Sequence, residues 1–185
     1  MFAIRKWYKF FALLLGLAGV LLGAHFLYAN FSAPEAPQNL QDTTLGADLH
    51  DFSAEDQAEV AVQFSDFLGK PTIVYFWASW CHWCTRGMEE LAVLYTQQEG
   101  PLQILAVNLP HLGRAPNELE RGRAFMQAQN LPFASIYDVQ GQAQAAYRVT
   151  AVPRTLFVNS YGELVYDQLG FLPLDRLENM VAGLN

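Results

Sequence analysis

Two cysteines occur in the 185 residues, and they stand three apart, Cys81 and Cys84, in the stretch FWASWCHWC. Positions i and i+3 of a helix are surface neighbours, so two thiols at that spacing can close a disulfide. The apolar run Thr72 to Ala78, TIVYFWA, lies just before them and a helical pattern just after. Cys81 therefore falls at a strand-to-helix junction. The free N–H groups and partial positive charge of a helix start stabilise a thiolate, and the thiolate is the nucleophile. The expected division of labour has Cys81 attacking a partner's disulfide and Cys84 resolving the mixed disulfide, or the same steps in reverse.

Other uses of two thiols fit less well. As a staple, so short a loop contributes about 2 kcal/mol, against nearly 5 for a long one. Zinc needs four ligands, and the chain has no second CxxC and no HxxxH. A copper site recruiting His82 or the distant His111 beside the thiolates stays open as an alternative. Covalent haem is excluded, because Thr85 and not His follows Cys84. The redox reading needs no metal and no other cofactor. Between the cysteines, His82 and Trp83 pull in opposite directions. A protonated His82 favours the thiolate and an oxidising couple, whereas Trp83 shielding the sulfurs disfavours it. Trp77 is expected in the core, and Trp80 is expected to line the contact surface beside Cys81.

The elements that position these residues can be followed along the chain. Residues 46–65 read weakly, with Val60 to Phe64 as a short strand and Asp66 to Pro71 as a turn. Thr72 to Ala78 reads as a strand buried on both faces. A helix follows over about His82 to Gln98, with Met88, Leu91, Ala92 and Tyr95 on its apolar face. Leu102 to Leu109 is a second buried strand. Asn117 to Gln129 is a charged helix with Leu119, Ala124, Phe125 and Ala128 as its apolar positions. Phe133 to Tyr137 is a strand and Gly141 to Tyr147 a short helix. Thr155 to Asn159 and Glu163 to Gln168 form a hairpin about Ser160-Tyr161-Gly162. Pro173 opens a last helix, Leu174 to Ala182. The order implies one α/β domain over 46–185, a central mixed sheet flanked by helices.

Ahead of the domain, Phe10 to Tyr28 is 19 residues without formal charge. As a helix it covers about 29 Å, close to the hydrocarbon core of a bilayer. Arg5, Lys6 and Lys9 precede it, so the expected arrangement is a cytoplasmic stub over 1–9, a single-pass transmembrane anchor over 10–29 and an exported remainder. Gly19, Gly23 and His25 within it are assigned no role. A cleaved signal peptide is the rival reading, weakened by the bulky Leu27 at the nearest cleavage site. Residues 30–45, with Pro34 and Pro37, read as a linker. The exported part holds eighteen acidic side chains against eight basic ones, a balance of −10 that argues against nucleic acid as a partner.

The motif TIVYFWASWCHWC, with AVPRTLFV some seventy residues later, resembles the thioredoxin superfamily. FSDFLGKPTIVYFWASWC narrows the resemblance to the membrane-anchored, exported TlpA/ResA/DsbE-type proteins, over roughly residues 60–185. The resemblance implies a thioredoxin-like fold, an enzyme exchanging thiols and disulfides, and a cis Val152-Pro153 bond packed against the Cys81–Cys84 disulfide. Trp80, His82, Trp83, Val152 and Pro153 are the expected substrate contacts. It further implies location at the bacterial inner membrane with the catalytic domain on the periplasmic side. Partners would be cysteine-containing exported proteins and a transmembrane electron-transfer partner. A reductant, as in cytochrome c maturation or thiol rescue, is the favoured direction. A disulfide-forming oxidase and a copper-binding thioredoxin-like module are the alternatives. A peroxidase on this fold needs a thiol in its own proline- and threonine-bearing loop, which the sequence does not offer. Three positions depart from the pattern. Tyr75 stands where thioredoxin has a buried Asp, Gly87 where some reductive relatives have Glu, and Glu89 where many have a kinking proline. Glu89 and Glu90 are expected to be exposed helix-surface carboxylates.

Overall fold

Strand β3 (Thr72–Trp77) is an interior strand of the sheet, and all six of its residues, TIVYFW, are buried. β-Branched and aromatic side chains alternating to both faces allow this only where both faces are covered. In the computed structural model, which describes residues 49–113 and 115–184, both are. β3 pairs in parallel with β4 (Gln103–Asn108), from Thr72 opposite Gln103 to Trp77 opposite Asn108. On its other side it runs antiparallel to β6 (Arg154–Val158). The remaining strands are β1 (Ser53–Glu55), β2 (Ala61–Gln63), β5 (Ala134–Tyr137) and β7 (Leu164–Leu169), and the sheet order is β2-β1-β5-β4-β3-β6-β7.

The pleat divides the core in two. Ile73, Tyr75 and Trp77 face helices α1 (His82–Gln97), α2 (Glu118–Gln129) and α4 (Leu174–Ala182), through Met88, Leu91, Leu94, Met126, Leu177 and Val181. Val74 and Phe76 face the other way, against Phe52, Phe64, Ala143 of the short helix α3 (Gln142–Ala146) and Tyr147. This is a thioredoxin-like α/β fold. No helix among the described residues is long and apolar enough to cross a membrane. The expected stub, anchor and linker lie outside the described residues.

Two expectations need correction. The apolar face assigned to α2 is right only at Phe125, which is half-buried against Trp77: the fully buried positions are Glu118, Gly122 and Met126, while Ala124 and Ala128 are exposed and Leu119 half-buried. The three buried positions are four residues apart, one helical stripe, but a carboxylate and a glycine carry no hydropathy signal. In the weakly read stretch, the strand expected over Val60 to Phe64 is only Ala61–Gln63, and Phe64–Phe67 turns as a 3-10 helix. β1 had no sequence signal at all.

Candidate redox site

Cys81 and Cys84 form a disulfide with their Cα atoms 5.2 Å apart. β3 ends at Trp77, and the chain then makes a tight turn in which the Cys81 N–H donates to the Ala78 carbonyl at 3.1 Å. That turn delivers Cys81 to the N-cap of α1 in an extended conformation, where its Sγ accepts the Cys84 N–H at 3.1 Å. The Cys81 carbonyl meanwhile accepts from Cys84 and Thr85, at 3.0 and 3.3 Å. The sulfur thus occupies the place of a capping oxygen, in the positive end of the helix.

The two sulfurs are not equivalent. Cys81 keeps 6% of its surface accessible, whereas Cys84 has none. Across from Cys81, its Sγ lies 3.7 Å from the carbonyl oxygen of Val152, and the Val152–Pro153 bond is cis. Pro153 is buried and Val152 half-buried. The Pro153 carbonyl accepts from Gly170 N–H at 2.7 Å, and Arg154 grips the Asp167 carboxylate with two N–H groups. The start of β6 is thereby fixed to β7.

Around the disulfide lies an apolar rim. Trp80 is 45% exposed and Trp83 57%, while Trp77 is buried, so the tryptophans divide between surface and core. Trp83 packs edge-on to the exposed His82, at 5.8 Å between centroids, and against Phe171 at 5.6 Å. The Arg86 guanidinium sits 5.8 Å over the Phe171 ring, and Leu169 is exposed nearby in sequence. Phe171 and Leu169 were not foreseen. Leu169 ends β7 and Phe171 lies in the β7–α4 connection, and neither stretch carries a motif.

Beneath the disulfide, the Tyr75 hydroxyl donates to the Cys84 carbonyl at 3.1 Å. Burial pushes this phenol well above its usual range, so it is a fixed neutral donor. Glu89 is exposed and Glu90 half-buried. His111 donates a ring N–H to the Val139 carbonyl at 2.8 Å. Among the described residues no three His, Cys, Asp or Glu side chains cluster as a metal site. Glu118, read only as part of a polar helix, is buried and bonds to Ser79, two residues before Cys81.

A family model described as the AhpC/TSA family matches residues 45–167. The thiol-disulfide oxidoreductase ResA of Geobacillus kaustophilus is 30% identical over 169 residues, covering 89% of this chain and 90% of that protein. ResA of Oceanobacillus iheyensis is 31% identical over 132 residues, 71% of this chain and 66% of that protein, just under two thirds of its length. Among solved structures, the exposed lipoprotein thioredoxin Etrx1 of Streptococcus pneumoniae superposes with a TM-score of 0.63 at 22% identity, over 73% of this chain and 100% of that one, a likeness of fold. With the disulfide at the helix start and this match along most of its length, the chain belongs to the AhpC/TSA family, as a thioredoxin-like thiol–disulfide oxidoreductase of the ResA type.

Proposed function

We propose that this protein is a membrane-anchored, extracytoplasmic reductant of disulfides in exported proteins, with Cys81 as nucleophile and Cys84 as resolving thiol. The asymmetry of the couple carries the reading: Cys81, set on a helix N-cap, is the one residue of the pair that keeps some exposure, and Cys84 has none. In the reduced protein the Cys81 thiolate attacks one sulfur of a substrate disulfide and expels the other as a thiolate. The Cys84 thiolate then attacks Cys81 in the mixed disulfide, releasing the second substrate thiol and leaving the couple oxidised. Two electrons have passed to the substrate. A transmembrane electron-transfer partner must return them for another turnover.

Trp80, His82 and Trp83 on one side and Val152-Pro153 on the other would receive the substrate segment. An extended chain passing between them would bring a cystine to Cys81 while pairing with main-chain groups at Val152. The anchor over 10–29 would hold this face outside the inner membrane. Anchoring is tested by whether the full-length chain stays in the membrane pellet after alkaline carbonate extraction.

Direction is decided by the equilibrium reduction potential of the couple against glutathione and dithiothreitol buffers. A value near that of thioredoxin, about −270 mV, is expected for a reductant, and one near about −120 mV would establish the oxidase instead. A Cys84→Ser variant should accumulate mixed disulfides with exported proteins, and Cys81→Ser should not.

A further inference from the structure

Glu118 opens α2 and is only 2% exposed, a depth at which a carboxylate needs partners. Three donors reach it. Ser79 gives its main-chain N–H to Oε1 at 2.5 Å and its hydroxyl to Oε2 at 2.6 Å, and the Asn108 side-chain amide gives an N–H to Oε1 at 3.0 Å. Asn108 is itself wholly buried at the end of β4. It has room for its amide because residue 122 is glycine: a Cβ there would come 2.8 Å from Asn108 Nδ2. The pocket around the carboxylate is thus built from β4 and two turns of α2.

Ser79 is the second residue of the Ala78–Cys81 turn, so the carboxylate binds that turn by both main chain and side chain. The same β4–α2 connection touches the turn again at Trp80. A Cβ on Gly113, a residue with φ +82°, would lie 3.2 Å from Trp80 Cζ2, so the indole rests on bare backbone. The connection over 110–116 reads from sequence as a shaper of partner choice or an exposed loop, yet Gly113 in its middle and Glu118 just after it hold the two residues that precede Cys81.

We propose that Glu118 is a positioning residue of the redox site, locking the Ala78–Cys81 turn so that Cys81 Sγ stays on the N-cap of α1 and Trp80 stays at the rim. This rests on the exchange chemistry proposed above. If the turn loosens, the sulfur loses the Cys84 N–H and the field of the helix start, and the reactive thiolate fraction falls.

The test uses the full-length chain in mild detergent, reduced, and mixed with oxidised glutathione as probe. Rates and melting temperatures are measured for the wild type, Ser79→Ala, Glu118→Gln and the double variant. Each single substitution should slow the attack about threefold to tenfold, the factor for one lost hydrogen bond. The double variant should be slowed by less than the product of the two single factors, because the two substitutions share the Ser79 hydroxyl–Glu118 contact. Wild-type rates with only a lowered melting temperature would overturn the proposal, making Glu118 a scaffold residue. So would additive losses, or a Glu118→Gln protein faster than wild type, which would mean that Glu118 acts through its charge. Ser79→Ala removes only a hydroxyl, so the question stays answerable if Glu118→Gln fails to fold. A wild-type chain that exchanges nothing with glutathione would overturn both this and the proposed function, and is recognised without any variant.

Discussion

Tyr75 fills the space beneath the disulfide with a phenol whose hydroxyl reaches the Cys84 carbonyl, and a Cβ on residue 87 would come within 2.2 Å of that hydroxyl. Tyr75 and Gly87, which look in the sequence like two separate departures from the pattern, are therefore one substitution: the large side chain from β3 requires the missing one on α1. Gly87→Ala should cost about 1–3 kcal/mol in urea unfolding, the range for overpacking a dense core. Adding Tyr75→Phe should recover part of that loss, since it removes the atom in closest conflict. Equal losses in the single and double variants would mean that the ring, not the hydroxyl, sets the clash. Because burial raises the Tyr75 pKa, the phenol is protonated at every working pH and cannot accept the proton of Cys84. The pH profile of thiol exchange below pH 9 should accordingly be the same in Tyr75→Phe and in the wild type, and a displaced profile would show that the phenol takes part in proton transfer.

At the scale of elements, the buried core strands and the span of α2 announce themselves, but the face by which α2 packs does not. Continuous apolar runs such as TIVYFW and ILAVN name buried strands within a residue or two, and α4 begins and ends where Pro173 and the apolar spacing put it. α2 buries Glu118, Gly122 and Met126, of which only the last is apolar, and adds the half-buried Phe125 against Trp77. Its seat depends on the closeness of Gly122 to Asn108 and on hydrogen bonds to Glu118. Gly122→Ala should therefore destabilise the protein by about 1–3 kcal/mol, although alanine is the better helix former by about 1 kcal/mol. Chemical denaturation decides the sign: a stabilised variant would mean that α2 moves outward without loss.

Over the whole molecule, stability at alkaline pH is tied to buried phenols in both cores, Tyr75 in the first and Tyr147 in the second. There Tyr147 packs with Phe52, Phe64 and Phe76 and donates its hydroxyl to the His50 carbonyl at 2.9 Å. Burial pushes its pKa up to about 12, from an ordinary value of 10.0. Below pH 10 the phenol is neutral in both the folded and the unfolded chain and contributes no pH dependence. Between pH 10 and about 12 the unfolded chain releases a proton that the fold retains, so stability falls as pH rises. Tyr147→Phe should weaken the alkaline loss of unfolding free energy relative to wild type across that window. An unchanged slope would place the alkaline sensitivity elsewhere.

Local chemistry written in contiguous residues was legible from the sequence: the thiol pair at a helix start, the buried strands around it, and, through the motif, the fold and its exchange chemistry. Such features depend on neighbours a few positions apart, which hydrophobic period and spacing record. The tertiary structure decided what depends on distant residues meeting. It sealed Cys84 and left Cys81 a little exposure, set the Val152 carbonyl 3.7 Å from Cys81 Sγ, and joined Tyr75 to Gly87. It made a strand of Ser53–Glu55 by pairing it with β2 and β5, because three residues have no period of their own. It also buried Glu118 against Ser79, thirty-nine positions away. Nothing near Glu118 in the sequence separates it from an acidic residue in the solvated first turn of a helix, because its burial is a property of the elements packed over it.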